Sequence, residues 1–154
     1  MPLKEAFDLA KKGHSYAKRT KYKEALAYYN KALSLDPNFP ECLFLRATAY
    51  IETGKHKEAL ADCDRAIALN PNYSDAWSKK SLALYYLERI EEALAASTRA
   101  AALNANDVTA WYIKGVCLDE MGRSDEAQEA YGRSLELEII LDMHAEAKRI
   151  KKQQ

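Results

Sequence analysis

The residues of this chain best suited to metal binding or nucleophilic chemistry are its cysteines and histidines, three of each. The cysteines lie 21 and 54 residues apart without a Cys-x-x-Cys pair, and an odd number of thiols does not suit a disulfide framework. No histidine has a histidine, cysteine or carboxylate partner at a convincing ligand spacing. We therefore predict no disulfide, no metal site and no cofactor from these residues: Cys42, Cys63, Cys117, His14, His56 and His144.

Catalysis is the function class with the least support in the sequence. The chain has only five glycines, and they form no loop of the kind that cradles phosphates. No nucleophilic side chain has an evident general base beside it in the sequence. We expect the protein not to be an enzyme.

The charge balance argues against two further function classes. The 154 residues include 23 basic and 23 acidic ones, so the chain lacks the basic excess that neutralises nucleic-acid phosphates. It has no run of 18 apolar residues and no apolar leader, and we expect a cytoplasmic protein without a membrane partner. The charges are nevertheless segregated: residues 1–35 carry +5, residues 36–147 carry −9 and residues 148–154 carry +4.

The sequence repeats itself at an offset of 34 residues, which is its strongest signal. A Glu-Ala pair recurs once in each copy, and the alanines of these pairs are Ala25, Ala59, Ala93 and Ala127. A small residue also recurs, at Gly13, Ala47, Ser81 and Gly115. Several columns that stay in phase over four copies indicate a repeat architecture.

Each 34-residue unit is predicted to form two helices. Apolar residues follow helical steps of three, four and seven, and in the third copy the pattern is interrupted near Glu88 and Arg89. Pro37 and Pro71, flanked by Asp or Asn, mark turns between units. The recurring small residues let two antiparallel helices cross closely while bulky residues fill the space on either side.

These columns resemble the signature of the tetratricopeptide repeat (TPR) family. The first copy matches it at Leu9, Gly13, Tyr16, Ala25, Tyr29, Ala32 and Pro37. The resemblance implies a single all-α domain over residues 1–154, a right-handed superhelical stack of antiparallel helix hairpins. Its repeats would lie at about 6–39, 40–73, 74–107 and 108–141, with a C-terminal helical extension at 139–154. It also implies a non-enzymatic interaction module or scaffold whose partner is another protein.

In such an array the first helix of each unit lines a concave face, and the resemblance implies that a partner peptide or helix binds there. Two interpretations of the apolar positions on this face remain open: they anchor a ligand, or they pack between units as core. The candidate groove residues are Lys11, His14, Phe44, Leu45, Thr48, Ser78, Lys79, Leu82, Tyr86, Tyr112, Ile113 and Val116.

The family's best-defined ligand mode is the two-carboxylate clamp of co-chaperones, which binds the acidic C-terminus of a chaperone. The five clamp positions of this chain hold Ala10, His14, Leu45, Asp75 and Lys79. Only Lys79 keeps the required positive charge, and Asp75 would repel a carboxylate. A co-chaperone-like adaptor with a degenerate clamp is therefore an alternative to the general groove binder, in which Lys11, His14 and Lys79 attract a single anionic group.

A basic residue also recurs at the repeat spacing, at Lys12, Arg46, Lys80 and Lys114. This column could form a ladder that binds anions. We favour a structural interpretation, in which the aliphatic stems lie along apolar surface and the charges stay in water.

The fourth unit lacks the stop signal of the earlier ones, because residues 138–142 contain no Pro, Gly or Asn. We predict that its second helix runs from about Asp125 into the basic tail and carries an apolar stripe. This helix either caps the open end of the array or, if it continues straight, forms a homo-oligomer. The candidates for self-association are Ile139, Ile140, Met143 and Ile150.

Overall fold

The computed structural model describes residues 2–154, which form eight α-helices. They are α1 (Lys4–Lys18), α2 (Tyr22–Leu35), α3 (Pro40–Glu52), α4 (His56–Leu69), α5 (Ser74–Tyr86), α6 (Ile90–Leu103), α7 (Val108–Glu120) and α8 (Ser124–Gln153). Pro40 occupies the first turn of α3, where its missing N–H costs nothing. The 30-residue α8 continues through the segment without a stop signal, as the sequence predicts.

The helices form four hairpins that stack into an all-α solenoid. Each odd-numbered helix packs against the even-numbered helix that follows it, and α2, α4 and α6 each pack against the first helix of the next unit. The odd-numbered helices also contact one another, whereas within residues 2–154 the even-numbered helices do not. Because the odd-numbered helices lie closer together, the stack curves with them on its concave side.

The turn inside each hairpin uses one left-handed residue. The four positions recur at the repeat spacing and have φ values of 58°, 78°, 60° and 76° at Thr20, Gly54, Glu88 and Gly122. Glu88 lies at the predicted interruption of the third unit, between α5 and α6. Between units, the indole N–H of Trp77 donates to the carbonyl of Pro71 at 2.9 Å, which fixes the next helix to the turn before it.

The crossing of the two helices in a hairpin depends on side-chain volume. An added Cβ on Gly13 would lie 2.6 Å from Cε1 of Tyr29, and one on Gly115 would lie 2.7 Å from Cδ1 of Tyr131. In the second and third units these two columns hold Ala47 with Cys63 and Ser81 with Ser97, and all four are fully buried. The units with a tyrosine ring in the second helix therefore have glycine opposite it in the first helix. The units with cysteine or serine in the second helix have the larger alanine or serine opposite.

Replacing Gly13 with alanine should lower the free energy of unfolding by about 1–3 kcal/mol, because the new methyl group overlaps the buried Tyr29 ring. Denaturant unfolding followed by circular dichroism measures the change. The matched control is Gly132→Ala in α8, where no neighbouring heavy atom lies within 4 Å of the Cβ position. The control should raise stability by up to about 1 kcal/mol through helix propensity. Equal effects of the two substitutions would contradict the close crossing of α1 and α2.

Candidate functional site: the concave groove

Three adjoining clefts follow the concave face. The first, of about 640 Å³, lies between α1 and α3, and the middle one, of about 280 Å³, adds α2 and α5. The third, of about 300 Å³, extends to the start of α7 and to Leu141 of α8. The first and middle clefts share His14, Lys18 and Leu45, and the middle and third share Phe44 and Lys79. Together the three clefts form one trough, the concave groove.

The first cleft combines apolar walls with a basic rim. Phe7, Lys11, His14 and Lys18 line it from α1, and their spacing of three or four residues places them on one helix face. The Nζ atom of Lys11 lies 5.8 Å from the centre of the Phe7 ring, so the cation borders the aromatic wall. Leu45 lines the cleft from α3.

The middle cleft is lined mainly by α3. Phe44, Leu45 and Thr48 occupy adjacent positions on one side of this helix, and the ring of Phe44 lies 5.7 Å from the ring of Tyr73. Burial, reinforced by the negative charges of Glu41 and Asp75, raises the pKa of Tyr73, so this hydroxyl stays neutral. The groove therefore has an aromatic and aliphatic floor at its centre.

Seven of the twelve predicted groove residues line these clefts: Lys11, His14, Phe44, Leu45, Thr48, Ser78 and Lys79. The other five lie further along the array and line none of the three clefts: Leu82, Tyr86, Tyr112, Ile113 and Val116.

Ile113 belongs to the core and not to the groove surface. It is only 2% exposed and joins a buried cluster with Leu84 and Cys117. The same repeat column holds Lys11, Leu45 and Lys79, which all line the groove. A branched apolar side chain gains by packing between helices, whereas a lysine extends its charge into solvent.

Of the other four predicted groove residues that line none of the three clefts, two are half-buried and two are exposed. Leu82 is half-buried and packs in two core clusters, and Val116 is also half-buried. Tyr86 and Tyr112 are 51% and 53% exposed. The Tyr86 ring stacks on His56 at 4.6 Å, which fixes an aromatic surface beside α5 without forming a cleft.

The structure adds groove residues that the sequence projection missed. Lys18 lines both the first and the middle cleft, and its position four residues after His14 is the signal that would have found it. Phe39 lines the first cleft from the turn before α3, so a projection restricted to helix positions omits it. Leu141 reaches the third cleft from α8, and although the sequence predicts that this helix is long, no sequence signal places it beside the start of α7.

The basic column does not form an open ladder for anions. Arg46 donates two hydrogen bonds of 2.7 Å to the carboxylate of Asp62, which is 3% exposed, and Lys80 pairs with Asp64 at 2.7 Å. The ammonium groups of Lys80 and Lys114 lie 5.3 and 5.1 Å from the centres of the Trp77 and Trp111 rings. The ammonium groups of Lys80 and Lys114 thus lie near aromatic rings, and the Arg46 charge is satisfied by a buried carboxylate, whereas the structural interpretation expected these charges to stay in water.

The described residues offer no evident metal centre. Across residues 2–154, no group of three or more His, Cys, Asp or Glu side chains is arranged to hold an ion. In the same residues, every helix is too short or too polar to cross a membrane.

Family comparisons match the architecture described above. Two family models, both described as tetratricopeptide repeat, match residues 16–83 and residues 79–137. The first TPR of Spaghetti (RPAP3), solved bound to the HSP90 peptide SRMEEVD, is 33% identical to this chain with a TM-score of 0.74. The match covers 77% of this chain and 94% of that one. The chain belongs to the tetratricopeptide repeat family. It is therefore a TPR protein-interaction module.

Other solved TPR structures are similar over most of the chain. The Sgt2 TPR domain from Aspergillus fumigatus is 27% identical, with a TM-score of 0.75 and coverage of 80% of this chain and 83% of that one. MamA is 24% identical, with a TM-score of 0.80 and coverage of 90% and 81%, and this likeness concerns the fold alone. No curated protein gives a significant match.

The three thiols are core residues of this TPR array. Cys42, Cys63 and Cys117 are all fully buried, and the Sγ atom of Cys42 lies 3.8 Å from the carbonyl oxygen of Tyr29. Burial raises the pKa of Cys42 and of Cys63 from 9.0 to about 12, and that of Cys117 to about 11. Thiols with raised pKa values and no exposed surface are poor nucleophiles.

These pKa values predict a loss of stability in alkaline solution. The thiols ionise near pH 9 in the unfolded chain but only near 11 to 12 in the folded one, so stability is full below about pH 9 and falls as the pH rises through that interval. Denaturant midpoints measured from about pH 8 to 11 should show this decline. Cys63→Ala should make it shallower. In the native protein the thiols should not react with an aromatic disulfide reagent, and rapid reaction of all three would contradict their burial.

Proposed function

We propose that this TPR array binds a segment of a partner protein in the concave groove, with its main anchor in the first cleft. The observation that supports the proposal most directly is the cleft of about 640 Å³ between α1 and α3, whose size is that of a typical ligand pocket. Its walls are apolar, and an exposed apolar concavity of this kind is suited to one bulky side chain of a peptide. We propose that the function is non-enzymatic.

The charges around the first cleft favour an acidic partner segment. Lys11, His14 and Lys18 border the first cleft and are opposed there by Glu41 alone. Lys79 is opposed by Glu52 in the middle cleft and by Asp75 and Asp107 in the third. A segment with a large apolar residue and neighbouring carboxylates would place both kinds of group against complementary surface. Asp75 in the third cleft would repel further acidic residues there, which sets one end of the preferred acidic stretch.

The double substitution Lys11→Glu with Lys18→Glu should weaken binding of such a segment by about tenfold or more, since it reverses the charge of the rim. The probes are fluorescein-labelled acidic peptides that each carry one bulky apolar residue, selected from a displayed library on the intact protein. Fluorescence anisotropy measures their affinity.

The matched control for this experiment is Lys12→Glu with Lys23→Glu. It makes the same change in net charge, but both residues are exposed and neither lines the three clefts of the groove. The control should change the affinity less than about twofold. If both double variants weaken binding equally, net charge and not the groove determines the interaction.

The similarity to the first TPR of Spaghetti (RPAP3) favours a second candidate, a co-chaperone-like adaptor. At the positions of the carboxylate clamp this chain presents the buried Ala10 and the half-buried Leu45, so two donors of the clamp are replaced by apolar groups. Lys79, half-buried, and the exposed His14 remain as possible donors to a carboxylate. This arrangement supports contact with one anionic group and not with two.

Titration of the peptide SRMEEVD tests this second candidate, with the same peptide amidated at its C-terminus as the control. We expect no binding that depends on the free terminal carboxylate, because the clamp lacks most of its donors. Isothermal calorimetry measures both peptides. Binding that is lost on amidation and on Lys79→Ala would establish the adaptor function instead.

A further inference from the structure

The outer side of α8 is an apolar surface that no described part of the chain covers. Every residue from Glu138 to Gln153 is exposed, so the helix projects about 24 Å beyond its last buried position. We define the outer stripe as four side chains that are 58%, 51%, 65% and 46% exposed: Leu135, Ile139, Met143 and Ile150. Large apolar side chains in an exposed row, which Glu146 interrupts here between Met143 and Ile150, are characteristic of an interface.

The outer stripe faces away from the array. With about 100° between successive residues of a helix, its four members fall within an arc of about 80°. The buried side chains of α8, from Ala127 to Leu137, centre on the opposite side, where α7 packs. The helix therefore has two apolar sides, of which one is used within the chain.

The first member of the outer stripe, Leu135, occupies a position that a helix covers elsewhere in the array. In each of the first three units, the second helix packs against the first helix of the following unit. Ala101 holds the place in α6 that Leu135 holds in α8, and it is 6% exposed where Leu135 is 58% exposed. The missing neighbour of α8 is thus expected to be a helix.

The charges on α8 define what kind of helix fits. Between residues 136 and 146 the charged side chains are all acidic, and from 148 to 152 they are all basic. The acidic members are Glu136, Glu138, Asp142 and Glu146, and the basic ones are Lys148, Arg149, Lys151 and Lys152. A parallel copy would place like charges together, whereas an antiparallel copy can bring acidic residues of one helix level with basic residues of the other.

We propose that the outer stripe binds the outer stripe of a second copy of this chain in an antiparallel arrangement. A two-fold axis between Met143 and His144 brings Glu136 level with Lys151 of the second copy, and Glu138 level with its Arg149. Such a contact is isologous, so both copies use the same surface. The two arrays lie at opposite ends of the helix pair, because residues before 137 in one copy are level with residues after 150 in the other. This assembly goes beyond peptide binding and leaves both concave grooves open.

Sedimentation equilibrium over a hundredfold range of protein concentration tests the proposal on the full chain. The wild-type protein should approach twice the monomer mass at the high end, and Ile139→Glu with Met143→Glu should remain monomeric. Leu141→Glu is the matched control, since Leu141 is 56% exposed on the same helix but points to the opposite side. The control should dimerise like the wild type. Circular dichroism and thermal unfolding verify that these exposed substitutions leave the fold intact.

Charge exchange tests the antiparallel orientation. Glu136→Lys alone and Lys151→Glu alone should each raise the dimer dissociation constant by about tenfold, since two attractive pairs become repulsive. An equimolar mixture of the two variants should form heterodimers with near wild-type affinity, because every pair is then complementary. A protein that stays monomeric at all concentrations overturns the proposal and leaves the outer stripe to a helix of another protein. If Leu141→Glu disrupts the dimer as strongly as Ile139→Glu with Met143→Glu does, the proposed face of α8 is wrong. If the charge exchange leaves the dimer dissociation constant unchanged, the antiparallel orientation is wrong.

Discussion

The close crossing of the two helices in each hairpin is the contact on which the rest of the array depends. Gly13 admits the ring of Tyr29, and Gly115 admits that of Tyr131, at distances that exclude even a methyl group. This contact fixes how the first helix of a unit is rotated on the second. The rotation determines which side chains of α1, α3, α5 and α7 point to the concave side, and therefore what a ligand meets there.

The concave face has two unlike halves as a result. Near α1 and α3, lysines and aromatic residues stand at the margins of open clefts. Near α7, Ile113 turns inward and joins the core, which removes an anchor from the surface and fills the space beneath it. The proposed anchor for a peptide therefore lies at the N-terminal end, where the chain also carries its first basic segment. The acidic middle of the sequence contributes Glu41 and Asp75 to the clefts and pairs in part with its own cations, as Asp62 does with Arg46.

The sequence predicted the architecture because the repeat places the same constraint four times. The recurrence of small residues, of Glu-Ala pairs and of turn residues defined two helices per unit, and the absence of a stop signal predicted the long α8. The groove was predicted only in part. Whether a residue such as Ile113 is exposed depends on the shape of its neighbours, which a repeat column does not encode, and Phe39 and Leu141 reach the groove from outside the projected positions. The pairing of Arg46 with Asp62 was also missed, because Asp62 has no acidic counterpart in the other units.

The matching of volumes between the two helices of a hairpin restricts how such a chain can be rebuilt. Tyr29 and Tyr131 each require a glycine opposite, whereas Cys63 and Ser97 accompany alanine and serine. A recombinant protein in which α3 formed a hairpin with α2 would place Ala47 against Tyr29. The methyl group of the alanine would then overlap the tyrosine ring, as an added Cβ on Gly13 would. A complete hairpin, in contrast, contains both of the helices whose side-chain volumes match. The hairpin, and not the single helix, is therefore the smallest piece by which this array can be shortened, extended or shuffled.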